Sequence, residues 1–535
     1  MASASRPFAF VRFLFDIRRL ARGRVTLDEA RRRLAHALEH REANFLSNLR
    51  TLIVANPRSP YTPLLAEAQC ELGDIERSVQ TNGLEGALLE LRRAGVYVGF
   101  EEFKGREPVV RNGHELGIRP EHFDNPQARR SIGAAGGGST GARTPIFIDI
   151  DGRIDQGILR ACADTALGFG DYPASTWWEV LPSHVGVMAL FQRAVSSRAH
   201  EHWFTPGSDY PLFARFKHRL ATETVVAAAR LWGLRVPRPE RVALDDAVEI
   251  ARWAADRARS AGGAVVQSTG SRGVRIAAAA NEHGIDLSGV VITVGSEPFT
   301  EAKAVELAKS GARAVPVYHV GEAGCIGVGC GNPVSANDLH FCRHALALIA
   351  YPRGIAGSDT SVDTFHLTSL LPTSPKVLLN VETDDYGVLE ERACGCGLEA
   401  LGFHEHIRDV FSFSKLTGEG VTLVGSDAVR ILEEVLPATF GGTSLDYQLQ
   451  EEEDASGLTR LTLVVSPRVS LDDEGAVVAT FLDALGSRGI GGSVRSAWKD
   501  AGTMRVVRAE PRTTAAGKLL PLMRTRREER NAQGR

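Results

Sequence analysis

The apolar positions of this chain change period several times, and each change marks an element. Over 6–50 they recur at helical spacing, with Phe8, Phe10, Phe13 and Phe15 set among Arg12, Arg18, Arg19 and Arg22, which predicts basic amphipathic helix. Leu84 to Ala94 (LEGALLELRRA) keeps that period, so a helical extension covers about 1–90, and Val96 to Phe100 reads as a strand. Pro145 to Ile150 also reads as a strand, and 184–260 reads as mostly helical. Farther on, β-branched runs (Ala264 to Val266, Val290 to Val294, Ala314 to Tyr318) alternate with helical ones (Gly273 to Ala280, Ala302 to Ser310). That alternation predicts βα units with parallel strands, whose ligands sit beyond the strands' carboxyl ends.

After about residue 409 the pattern changes again. Leu458 to Val465 and Met504 to Val507 read as strands and Glu474 to Leu485 as a helix. The expected fold class is therefore α/β: a large multi-layer domain of mixed and parallel sheets over 1–409, and a small α+β domain over 410–535. A length of 535 residues agrees, since it exceeds what one simple core organises.

Composition removes several functions. With 62 Lys and Arg against 65 Asp and Glu, the net charge of -3 lacks the basic excess that binds nucleic acid. Seven cysteines in so long a chain are no disulfide scaffold, and their clustering points to metal ligation in a reducing compartment, the cytoplasm by default. No run of about 18 apolar residues is present, so no transmembrane segment is expected. The helix over 6–25 is expected to dock on the main domain, with weak contact to an anionic membrane surface as the alternative.

Gly133 to Gly141 (GAAGGGSTG) contains Gly136-x-Gly138-x-x-Gly141, but a strand follows it where a dinucleotide fingerprint requires a helix, and no Gly-Lys-Ser/Thr closes it. What the residues supply is close backbone approach and the hydroxyls of Ser139 and Thr140, a combination suited to phosphate oxygens.

The order of further motifs is more specific. Gly138-Ser139-Thr140-Gly141, Gly295-Ser296-Glu297-Pro298, Tyr318-x-x-x-Glu322-Ala323-Gly324, Thr383-Asp384-Asp385, Arg408-Asp409 and Thr513-x-x-x-Gly517-Lys518 together resemble the adenylate-forming (acyl-CoA synthetase-like) superfamily, nearest its phenylacetate-CoA ligase branch. The resemblance spans roughly 130 to 520. It implies ATP-dependent activation of a carboxylic acid, an aryl acid in that branch, to an acyl-adenylate, then transfer to the thiol of coenzyme A. Acyl transfer to a carrier protein or protein thiol in trans is the alternative acceptor. A non-catalytic nucleotide-binding descendant is the alternative class, since Gly321 stands where the family has Thr, Asp384 where it has Gly, and Ala142 where it has a basic residue.

By the same resemblance, Ser139, Thr140 and Gly141 hold phosphates and Glu322 ligates Mg2+. Gly295, Ser296, Glu297 and Tyr318 line the adenine site, Asp385 accepts the ribose hydroxyls, and Arg408 lies near ribose or phosphate. Lys518, on a small mobile lid that swings about Arg408-Asp409, reaches the reacting oxygens, a task that suits a point ammonium on a flexible stem.

Cys330, His340, Cys394 and Cys396 form a second constellation. Members of the phenylacetate-CoA ligase branch with similar placements hold a structural zinc, and three thiolates with one imidazole make a closed tetrahedral site. Cys325 and Cys342 are the alternative ligands. His184 has either a substrate-facing or a structural role, and Trp177, Trp178, Phe191 and Trp203 are expected in the core rather than around an aromatic acid.

Overall fold

The computed structural model describes residues 6–128, 132–135, 145–196, 198–207, 212–354, 361–412, 417–418, 421–422, 425–453, 459–486, 504–514 and 518–525. Its centre is a twelve-stranded mixed sheet. Six strands form a parallel half, running in space from Pro239–Arg241 through His200–Thr205, Ala174–Trp177, Ala264–Thr269 and Val290–Gly295 to Arg313–Val320. From Arg313–Val320 onward the pairing turns antiparallel, through Gly324–Gly329, Leu339–Phe341, Glu405–Ser412, Val381–Glu391, Ser361–Ser369 and Leu346–Gly354. Tyr318 to Glu322 thus lies where parallel strands give way to antiparallel ones, a place where α/β sheets open a crevice.

Each half of the sheet buries its own apolar layer. Helices Ala247–Ala261 and Gly270–Glu282 cover the parallel strands, while Phe45 to Phe123 packs on the antiparallel ones. The helix Arg6–Arg22 turns Phe13, Ile17 and Leu20 onto Phe191 and its neighbours, as expected of a docked amphipathic helix, and leaves Val11 and Phe15 exposed. Among the described residues no helix is long and apolar enough to cross a membrane.

Some elements differ from the sequence reading. Val96 to Phe100 forms only a single bridge, Val98 to Val381. The strand Pro145–Ile148 ends before Asp149, whose carboxylate caps a helix Ile150–Ala166 that the preceding β-branched run had concealed. Within 184–260, the strands His200–Thr205 and Pro239–Arg241 join the sheet, and neither carries a regular polar–apolar alternation that would mark it as a strand in the sequence. The start of the glycine-rich segment is itself a strand: Ile132–Ala135 pairs antiparallel with Pro145–Ile148.

A second unit has its own sheet of four strands, in the order Met504–Arg508, Thr459–Val465, Tyr447–Glu453, Leu522–Thr525. Its core joins these strands to 428–436 and to the helix Glu474–Gly486. The strand Glu405–Ser412 runs past residue 409 within the large sheet, pairing Asp385 with Ser412. Asp409 sits in this strand with φ of 53°, a left-handed conformation that non-glycine residues rarely adopt.

Candidate active site

A cavity of about 320 Å³ opens at the change of strand direction. Its wall collects Ser296, Glu297, Tyr318, Glu322 and Asp385 from the large domain and Lys518 from the C-terminal unit. These six are scattered over more than 200 residues of sequence, and the tertiary structure brings them to one space. Gly295 ends its strand beside them, opposite Val317. Ser139, Thr140 and Gly141 lie outside the described residues. Arg408 does not line the cavity; its guanidinium binds Glu390 at 3.2 Å and Asp409 at 2.6 Å.

The polar contacts explain how these residues are held. Tyr318 donates its hydroxyl to Asp385 Oδ2 at 2.5 Å, and burial together with the Asp385 charge raises the phenol well above its ordinary value, so it stays a donor. Asp385 N–H in turn donates to Thr383 Oγ1 at 3.2 Å. Asp384 faces Ser412, whose hydroxyl donates to Asp384 Oδ2 at 2.7 Å, so the Asp at this departing position ties two strands together.

Ser296 takes φ of 69° immediately before Glu297, a strained geometry of the kind that gathers at binding sites. Glu297 accepts Ser271 N–H at 2.7 Å, at the start of the helix Gly270–Glu282 where a carboxylate is favoured. It also accepts Leu519 N–H at 2.9 Å, next to Lys518. Lys518 itself is tied to Thr514, its N–H donating to Thr514 Oγ1 at 3.1 Å and its carbonyl accepting Thr514 N–H at 2.8 Å. A buried ion pair, Lys303 Nζ to Glu433 Oε1 at 2.8 Å, fastens the helix Glu301–Lys309 to the C-terminal unit.

Glu322 is paired with Lys104 Nζ at 2.7 Å, and both are largely buried. Sequence reading missed Lys104. It lies just past the short helix Phe100–Phe103, and nothing in its neighbourhood distinguishes it from a solvated lysine.

No family model matches the sequence, and no curated protein matches it. Among solved structures the fold is similar to 2-hydroxyisobutyryl-CoA ligase in the postadenylation state in complex with 2-HIB-AMP, at a TM-score of 0.50 and 14% identity over 93% of this chain and 91% of that one. The chain has the adenylate-forming ligase fold. A weaker likeness is to the amide bond synthetase McbA from Marinactinospora thermotolerans, at TM-score 0.41 and 14% identity over 98% of this chain and 99% of that one.

The fold also builds a second cluster, whose residues do not line the cavity. One donor atom each from Cys330, His340, Cys394 and His406 lies within 4.8 Å of the others. Cys396, the fourth residue that the sequence indicated, places Sγ 3.1 Å from His340 Nε2. Strand register brings His406 in, directly opposite His340. His340 Nδ1 is bound to the Phe403 carbonyl at 2.8 Å and His406 Nδ1 to Asp338 Oδ1 at 2.8 Å, which fixes both rings. Among the described residues, His406 Nε2 is buried with no hydrogen-bond partner. Burial and neighbouring thiols push the Cys330 thiol up to about 12. An orphaned imidazole nitrogen beside buried sulfurs is the donor set that a tetrahedral cation completes.

The aromatic residues take the core role. Trp177 and Trp203 are fully buried, and none of Trp177, Trp178, Phe191 and Trp203 lines the cavity.

Proposed function

We propose that this protein is an ATP-dependent, AMP-forming acid-thiol ligase of the phenylacetate-CoA ligase type. The observation that carries the reading is the presence of Lys518, from a separate C-terminal unit, in one cavity with Glu322 and Asp385. In the reaction the carboxylate oxygen of the acid bonds to the α-phosphorus of ATP. The bond from that phosphorus to the bridging oxygen breaks, and pyrophosphate leaves.

The chain's residues do three things in this reading. Asp385, oriented by the Tyr318 hydroxyl, accepts the ribose hydroxyls. Lys518 meets the negative charge that moves from carboxylate to phosphate. Glu322, paired here with Lys104, and the glycine loop at Ser139, Thr140 and Gly141 would receive the pyrophosphate end, where Glu322 would hold Mg2+. The magnesium supplies charge neutralisation on the phosphate oxygens. The thiol of coenzyme A then attacks the acyl carbon and AMP departs; a carrier-protein thiol is the second acceptor.

The Cys330, His340, Cys394 and His406 cluster fits a structural zinc, with Asp338 and the Phe403 carbonyl orienting the two imidazoles. It ties the segment after Glu322 to the segment after Asp385, and so stiffens both walls of the nucleotide crevice.

The test is pyrophosphate release with ATP, Mg2+ and a panel of carboxylic acids, with and without coenzyme A, beside a Lys518→Ala control. Release that needs an acid supports the reading. Release from no acid, or equal release from the Lys518 variant, removes it.

A further inference from the structure

The helix Leu212–Leu231 is apolar on two opposite faces. One is turned inward: Val225, Val226 and Ala229 are buried in the same core as Phe191, and the Thr222 hydroxyl accepts the Leu181 N–H at 3.3 Å. The other faces solvent. Phe213 is 81% exposed, Phe216 67%, Leu220 58% and Leu231 77%. Four of the ten large apolar residues exposed among the described residues therefore stand on this one helix.

Their spacing makes them a single stripe. At about 100° per residue these four side chains fall within about 60° of one another around the helix, and the exposed Ala227 lies on the same line. With a rise of about 1.5 Å per residue the stripe is about 27 Å long. So continuous an apolar line is rarely left in water unless something covers it.

The charges beside the stripe identify what does. Lys217 flanks it on one side and Arg219 and Arg230 on the other, all three exposed. The one acid of the helix, Glu223, is partnered by Arg238 at 3.4 Å. The helix Arg6–Arg22, which packs beside it, has the same character, with Val11 and Phe15 exposed and Arg18 and Arg22 at the surface. Its Phe13, Ile17 and Leu20 are taken up by the core, so the stronger apolar face lies on Leu212–Leu231 and not within 6–25. An apolar line between rows of cations suits a planar anionic surface with an apolar interior, where the cations meet headgroups and the apolar side chains enter between them. A protein partner would have to supply a groove for the line and acids along both of its edges; an anionic headgroup layer supplies both everywhere.

We propose that the helix Leu212–Leu231 docks on an anionic lipid bilayer, lying along its surface with Phe213, Phe216, Leu220 and Leu231 inserted among the headgroups. This inference is independent of the adenylating reading.

The experiment is co-sedimentation of the full-length protein with vesicles of phosphatidylcholine alone and of phosphatidylcholine mixed equally with phosphatidylserine. The mixed vesicles are expected to bind about tenfold more tightly or better, and the preference should fade as salt is raised. Phe216→Ser is expected to weaken binding by about tenfold, and Phe213→Ser with Phe216→Ser by about a hundredfold. Both side chains are exposed, so these variants should melt with the wild type. Lys217→Glu with Arg219→Glu should reduce affinity for the mixed vesicles to that for the neutral ones. Binding to neither vesicle overturns the proposal, as does equal binding to both or unchanged binding by the double serine variant. A protein that ignores vesicles but forms a dimer that the double serine variant dissolves would make the stripe an interface between two copies and would equally overturn it.

Discussion

The backbone N–H of Leu519 donates to Glu297 Oε1 at 2.9 Å, so the residue after Lys518 is anchored to the turn that follows a central strand of the large domain. The same carboxylate takes Ser271 N–H and the Ser271 hydroxyl, which makes it a clasp between a helix start and the C-terminal unit. Glu297→Ala is expected to free the 518–520 segment, speeding amide exchange there by about tenfold or more, since hydrogen bonds to charged groups contribute about 1.5–3 kcal/mol. Exchange at Leu519 equal to that of the parent protein would show that the contact holds nothing.

Lys518→Ala is expected to lower pyrophosphate formation by about 10²- to 10³-fold, the usual effect of deleting one charge-stabilising donor. The melting temperature should hardly move, because Lys518 is partly exposed and both of its hydrogen bonds to Thr514 are made by its own backbone atoms. A large fall in melting temperature would identify a structural lysine instead.

Metal analysis of the purified protein is expected to find about one zinc per chain. His406→Ala and Cys330→Ser should each abolish it and lower the melting temperature, because binding energy at such a site is folding energy. Cys396→Ser should keep the metal. The opposite pattern, loss with Cys396→Ser and retention with His406→Ala, would restore the set of three thiolates and one imidazole that the sequence indicated.

His366 predicts an acid limb in stability. Its Nε2 accepts Arg92 Nε–H at 3.0 Å between the rings of Tyr97 and Tyr351, and burial, then Arg92, lowers it to about 3. The unfolded chain binds this proton near pH 6.5 and the folded chain only near pH 3. The contribution is thus complete above about pH 6.5 and is lost as the pH falls toward 3, amounting to a few kcal/mol at most, roughly. His366→Gln keeps an acceptor but does not titrate. Its denaturation midpoint is expected to fall less steeply than the wild type between pH 6.5 and 4, and parallel curves would refute the assignment.

Local period was enough to read the docked helix at Phe13, Ile17 and Leu20, the βα alternation from Ala264 to Tyr318 and the separate grain of the C-terminal unit, because burial of one face is written into spacing along the chain itself. Residue types in a particular order likewise indicated Glu322, Asp385 and Lys518. Tertiary structure alone decided the rest. His406 became a neighbour of His340 through antiparallel register, and Lys104 became the partner of Glu322 through the packing of the helical extension. These pairings join residues far apart in the chain, and an ordinary His or Lys carries no local signal of the charge or donor that folding will set beside it.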